Sequence, residues 1–95
     1  MKNSEFIVGK VPITKEEVRA ISLAKLDLTR ASNFLDIGSG TGSVTVEAAL
    51  NNRHLRVTSI EKDQAALELT RLNIEKFVQG YSGPGIGRPI YLWHS

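Results

Sequence analysis

The sequence has no cysteine, one methionine, one tryptophan and three prolines, and no apolar run long enough to cross a bilayer. Without cysteine there is neither a disulfide nor a thiolate-bound metal, which is compatible with a cytoplasmic setting. Met1-Lys2-Asn3-Ser4-Glu5 leads into no apolar stretch, so neither a secretory signal nor a membrane span is expected. No charge of one sign dominates: 12 basic residues against 10 acidic ones leave a formal +2. That balance points away from nucleic acid and suits an anionic small molecule only weakly. His54 and His94 have no neighbour at metal-ligand spacing and read as surface residues. No Ser/His/Asp or paired-carboxylate arrangement stands out, so no catalytic residue and no metal site are assigned. Ninety-five residues, 41% of them hydrophobic, make one small domain at most. A domain of that size buries only about 60–65% of its unfolded surface, so its core is thin.

What is present is concentrated in one stretch, Phe34-Leu35-Asp36-Ile37-Gly38-Ser39-Gly40-Thr41-Gly42-Ser43. Phe34, Leu35 and Ile37 form a short run that reads as a buried strand. Gly38, Gly40 and Gly42 then bend the chain, expose its N–H groups and leave room for a ligand. Val44, Ala48 and Ala49 pack the following helix back onto the strand. This is the first βα corner of an open α/β sheet, where such folds bind nucleotide-like ligands.

The charges around the corner narrow the ligand. The dinucleotide fingerprint G-x-G-x-x-G/A fails at Ser43, and no lysine follows the glycines as a P-loop requires. Asp36 sits two residues before Gly38, and no Lys or Arg occurs between Phe34 and Asn52. A carboxylate there repels a pyrophosphate, whereas a phosphate-free ligand with a cationic end is attracted. S-adenosylmethionine has that character. Arg56–Ile60 reads as the next strand, and Glu61 at its end is placed to accept hydrogen bonds from ribose hydroxyls. The plainer readings are a strand-end cap for Asp36 and a solvated turn residue for Glu61. The combination with the glycines favours a binding site.

The remaining chain follows ordinary signals. Residues 4–12 are an extended lead-in, since Gly9 and Pro12 oppose helix. Thr14-Lys15-Glu16-Glu17 forms a capping box for a helix over residues 14–28. Ile21, Ala24 and Leu28, with Val18 at the edge, fall on one face of it, while Leu23 and Leu26 fall on the other. That helix is expected to meet something on both sides, either within the chain or across a subunit interface. A helix from Ser43 to about Leu50 ends at Asn51-Asn52. Asp63 caps another that reaches about Phe77, with Ala65, Ala66, Leu69, Leu72 and Phe77 inward and Glu68, Arg71 and Glu75 in solvent. Gly80–Ser95 is rich in glycine and proline, and only Ile90–Trp93 suits a strand.

Two sets of residues resemble a known family. Asp36-Ile37-Gly38-Ser39-Gly40-Thr41-Gly42-Ser43-Val44 resembles motif I of class I S-adenosylmethionine methyltransferases. The run Gly9–Arg19, taken with Gly40–Ser43 and Glu47-Ala48-Ala49, is similar to the cobalamin-pathway precorrin methyltransferases that also decarboxylate their substrate. The likeness covers about residues 5–79. It implies a Rossmann-like α/β fold and S-adenosylmethionine as cofactor. Gly38, Ser39, Gly40, Thr41 and Gly42 would lie along the methionine half, Glu61 on the ribose, and Thr14 in a lead-in folded over the cofactor. It further implies a precorrin tetrapyrrole substrate, methylated at a ring carbon and decarboxylated, and a homo-oligomer, commonly a tetramer. Lys10, Lys15 and Arg19 are either attractors of that carboxylate-rich ring or, more simply, surface charge.

The family sheet has about seven strands, and this chain reads as two or three. Residues 1–79 are therefore expected to be the N-terminal part of such a domain: lead-in 1–13, helix 14–28, and a cofactor-binding βαβα unit over 33–79. Residues 80–95 read as an unrelated tail without the family's next strand. The expectation is a truncated member with little or no activity. The alternatives are a non-catalytic cofactor-binding remnant and, less favoured, a dinucleotide-dependent oxidoreductase domain.

Overall fold

A computed structural model describes residues 1–78 and 90–95. Three parallel strands, β1 (Asn33–Ile37), β2 (Arg56–Glu61) and β3 (Ile90–His94), lie in the order β1-β2-β3. Three α-helices accompany them: α1 (Glu16–Leu26), α2 (Ser43–Asn51) and α3 (Gln64–Phe77). Short 3₁₀ turns occupy Asn3–Glu5 and Leu28–Arg30. The tail thus does supply a next strand, since β3 pairs with β2 from Val57↔Ile90 to Glu61↔His94. The glycine- and proline-rich residues 79–89 lie outside the described part of the chain.

Strand order decides which face is covered. Parallel connections are right-handed, and two that step in the same direction put both crossover helices on one side. Accordingly α2 and α3 pack together and both reach β2. Beneath them lies a core of Leu28, Ala48, Ala49, Leu55, Val57 and Val78, joined by Phe34, Ile74 and Ile90. In a parallel sheet, residues in register point the same way, so Leu35 and Tyr91 share the opposite face, as do Ile37 and Trp93. All four are exposed, Ile37 at 73%. The expectation that β1 is buried on both sides therefore fails for Leu35 and Ile37. No helix among the described residues covers that face.

Helix α2 is buried nearly all round, from Ser43 to Ala49. This explains how Thr45 and Val46, weak helix formers, persist there. Helix α3 begins as predicted, with Asp63 accepting from the Ala65 N–H at 3.0 Å. Its buried stripe is Ala66, Thr70 and Asn73, with Ala65 exposed, so two of its inward residues are polar. Arg71 bridges Glu68 and Glu75 on the solvent side, as expected of an exposed pairing worth little.

Helix α1 departs furthest from expectation. It starts at Glu16, its N-cap is Lys15, and no side chain caps it, so the Thr14 box does not form. Val18, Ile21 and Leu26 are exposed, and the buried residue is Arg19, at 0% exposure. Arg19 is neither surface charge nor open to a substrate. Its guanidinium donates to the Met1 carbonyl (2.6 Å), the Asn3 side-chain oxygen (2.8 Å) and the Thr14 carbonyl (2.9 Å). The Phe6 ring lies 5.2 Å away. The Arg19 Nε stands 3.4 Å from Glu47 Oε1, close enough to pair charges though not aligned for a hydrogen bond. Glu47 also accepts from the Met1 ammonium at 2.6 Å. One buried cation thus anchors both ends of the lead-in to α2.

Arg19→Met should destabilise the fold by about 3 kcal/mol, because it leaves three lead-in acceptors unpaired and removes one of the two cations beside Glu47. The urea midpoint reads this directly; a change below about 0.5 kcal/mol, as at an ordinary surface site, would contradict it.

Candidate functional site

The turn from Gly38 to Gly42 runs from the carboxyl end of β1 into α2. Gly38 adopts φ +74°, and a Cβ there would meet nothing within 4 Å. Gly42 adopts φ +85°, and a Cβ would stand 2.9 Å from Thr70 Cα and Cγ2. Gly42 is therefore required by packing against α3, whereas Gly38 borders open space.

Sequence reasoning expects the turn's amides to face a ligand, and four of them do not. The Gly38 and Ser39 N–H groups donate to the Ile60 carbonyl at 2.7 and 3.3 Å. Gly40 N–H donates to Glu61 Oε1 at 2.8 Å, and Gly42 N–H to the Ser39 carbonyl at 2.9 Å. An anion-binding nest needs such amides free and convergent. Here they tie the turn to β2 and to a carboxylate.

The side chains divide in the same way. Ser39 and Thr41 are buried; the Ser39 hydroxyl stands 3.4 Å from that of Thr70, and the Thr41 carbonyl accepts from Asn73 Nδ2 at 2.8 Å. Thr70 donates to the Gly40 carbonyl at 2.8 Å. Gly38 and Gly40 remain the accessible members. Thr14 is exposed, and no hydrogen bond among the described residues joins it to the turn. The lead-in approaches through its neighbours instead: the Pro12 carbonyl and Val11 Cγ1 lie 3.7 and 3.9 Å from where a Gly40 Cβ would be.

Asp36 and Glu61 both reach the corner. Asp36 accepts from Thr45 Oγ1 at 2.7 Å, at the first turn of α2. It thereby occupies the N-terminal turn of α2, where a bound phosphate would otherwise sit. Burial raises its pKa, the Thr45 hydroxyl and backbone lower it, and the Glu61 charge raises it again, for a net rise. Glu61 is held by the N–H groups of Asp63 (2.9 Å) and Gly40, which bring its pKa down despite burial. Each of its oxygens keeps a further lone-pair direction. Glu61 borders a hollow of about 220 Å³ with Ile37, Gly38, Ile60, Lys62 and Ser95.

The structure thus brings together Asp36, Gly38, Ser39, Gly40, Thr41, Gly42 and Glu61, and leaves Thr14 apart. Thr45, Thr70 and Asn73 support the turn without having been singled out in the sequence. Their signal was faint: Thr70 and Asn73 continue the helical stripe of Ala66, and a polar stripe reads as solvated until something is found against it. S-adenosylmethionine fits these residues. Two neighbouring carboxylates favour a cation, Glu61 suits ribose hydroxyls, and the open side of Gly38 leaves room.

The two acids make opposite pH predictions. Asp36 has a raised folded-state pKa, so its ionisation lowers stability as pH climbs through the window above the usual carboxylate range. Asp36→Asn should melt higher than the parent at neutral pH, with the gain vanishing in acid, while Oδ1 still accepts from Thr45. Glu61 has a depressed pKa, so its contribution is complete at neutral pH and fades as acid protonates it. Glu61→Gln should melt lower at neutral pH and converge with the parent in acid. Thermal melts across pH test both signs.

Comparisons with known proteins agree with the fold. Residues 6–82 match the family described as "Precorrin methyltransferase domain". Cobalt-precorrin-6B C(15)-methyltransferase (decarboxylating) of Salmonella typhimurium is 52% identical over 81 residues, covering 84% of this chain and 42% of that protein. A probable enzyme of the same name from Sulfurisphaera tokodaii is 54% identical over 77 residues, 79% of this chain and 40% of its own length. The crystal structure of precorrin-6y C5,15-methyltransferase from Geobacter metallireducens superposes with a TM-score of 0.83 at 33% identity, covering all of this chain and 46% of that one. The chain therefore spans less than half the length of these relatives. With most of its residues matched to that domain, and with the parallel sheet and glycine corner in place, the chain belongs to the precorrin methyltransferase family.

Proposed function

We propose that this chain carries the S-adenosylmethionine-binding part of a methyltransferase of corrin-ring biosynthesis, one that C-methylates and decarboxylates a precorrin. The relatives' names supply the reaction. The observation that carries the cofactor reading is the state of the corner: four of its amides are closed on Ile60, Ser39 and Glu61, and Asp36 sits at the N-terminal turn of α2. A dinucleotide's pyrophosphate would find no free amide at those four positions and a carboxylate in its place. This disfavours the oxidoreductase reading.

When bound, S-adenosylmethionine supplies a methyl group activated on sulfonium sulfur, so the protein's task is largely alignment. Glu61 would hold the ribose hydroxyls, already fixed in position by two backbone N–H groups. Asp36 would lower the energy of the cationic end through space, an effect strengthened by its partial burial. Gly38 and Gly40 would form the floor along the methionine half, with Ser39, Thr41 and Gly42 supporting them from the α3 side. Thr14 would enter only if the lead-in shifts.

Self-association belongs to this proposal, supported by the uncovered sheet face of Leu35, Ile37, Tyr91 and Trp93 and by exposed Val18, Ile21 and Leu26 on α1. Light scattering at high micromolar concentration should find dimers or larger species; a monodisperse monomer would contradict it.

For the cofactor, calorimetry should find S-adenosylhomocysteine bound and NAD not bound. Glu61→Gln should weaken the former by about 1–3 kcal/mol, the range for a hydrogen bond to a charged group. Tighter binding of NAD than of S-adenosylhomocysteine would reject the assignment.

A further inference from the structure

Asn73 sits at 0% exposure in the middle of α3, and every polar function of its amide is used. Oδ1 accepts from the Ile7 N–H at 2.7 Å. Nδ2 donates to the Ile7 carbonyl and to the Thr41 carbonyl, both at 2.8 Å. One side chain thus holds the backbone of the lead-in and the backbone of the glycine turn at a fixed separation. Few side chains can replace it. Asp lacks both donors, Gln is longer by a methylene, and Ser has one donor on a shorter stem.

The lead-in is fixed again at its other end, where Arg19 binds the Thr14 carbonyl. Between these anchors, Val8–Ile13 forms a strap, folded by the Val11 N–H to Val8 carbonyl bond and by Gly9 at φ +50°. The strap passes beside Gly40, the turn residue whose N–H binds Glu61 and whose carbonyl binds Thr70. Occupancy of the open side of the turn and the position of the strap therefore meet at Gly40, and Asn73 is the group bonded to both backbones.

We propose that Asn73 is a positioning residue that couples the lead-in strap to the glycine turn, so that S-adenosylhomocysteine binding and fixing of Val8–Ile13 occur as one event. The inference rests on the cofactor reading above. Asn73 does not touch the ligand; it acts through Ile7 and Thr41. Thr70, one turn earlier, holds the turn alone and has no bond to the strap, so it supports the site without coupling it.

The test uses the whole chain, S-adenosylhomocysteine as probe, and two variants. Asn73→Asp keeps the shape and the acceptor but loses both donors. Ile7→Pro removes the N–H that Asn73 accepts, at a residue 38% exposed, and leaves the Asn73–Thr41 bond in place. Three quantities are read: affinity by calorimetry, tryptic cleavage after Lys10 with and without ligand, and exchange of the Ile7 amide without ligand. In the parent chain, ligand should slow cleavage at Lys10, and the Ile7 amide should exchange slowly. Each variant should bind about tenfold or more weakly, as losing a buried amide bond implies, and ligand at saturation should no longer protect Lys10. Asn73→Asp should also speed exchange at Ile7. A folding defect in Asn73→Asp leaves Ile7→Pro to decide, because it removes the strap's N–H bond to Asn73 and spares the bond to Thr41. Parent-like affinity and protection in Ile7→Pro, with the parent binding, would overturn the coupling and leave the cofactor reading intact. Failure of the parent to bind S-adenosylhomocysteine would overturn both.

Discussion

The bond from the Gly40 N–H to the Glu61 carboxylate joins the turn after β1 to the end of β2, and much of the site follows from it. It closes an amide that would otherwise seek an anion. It fixes Glu61 where a ribose would be read and helps hold that acid ionised. It also keeps a negative charge near Asp36, whose own ionisation is thereby made harder. A corner built in this way is poorly suited to phosphate and well suited to a ligand that brings its own positive charge. The preference arises from where backbone donors end, not from any single recognition residue.

A second constraint is handedness. Two right-handed parallel crossovers that step the same way place α2 and α3 on one side of the sheet. That side has an apolar core, and its helix α3 carries Thr70 and Asn73 to the underside of the turn. The other side displays Leu35, Ile37, Tyr91 and Trp93. The geometry that builds the binding corner is thus also the one that leaves an apolar surface uncovered by the described residues. The buried Arg19 applies a third constraint, drawing Met1, Asn3 and Thr14 inward so that the lead-in runs past the corner.

Much was legible in the sequence because it rests on local rules. The strands at Asn33 and Arg56, the Asp63 cap and the glycine turn depend on patterns that a few residues complete by themselves. Asp36 and Glu61 were legible as a pair of charges beside the glycines, and the structure brings both to the corner. The family likeness was readable on the same residues. The capping box at Thr14 was local too, yet it failed. The helix α1 instead starts at Glu16 with Lys15 as its N-cap, and the Thr14 carbonyl accepts from Arg19, whose guanidinium also holds Met1 and Asn3.

What needed the tertiary structure was everything set by partners distant in sequence. No pattern tells a solvated arginine on a helix from one enclosed by three acceptors and a phenylalanine ring, so Arg19 read as surface. Leu35 and Ile37 read as core because apolarity is a property of the residue, while cover is a property of its neighbours. Asn73 read as one more polar position on α3, and its role depends on Ile7, sixty-six residues away in sequence. The sequence by itself determined the elements, the corner and the charges set around it. The tertiary structure decided which side chains are buried, which amides remain free, and what holds the lead-in against the turn, because burial and hydrogen-bond satisfaction are settled only when remote segments meet.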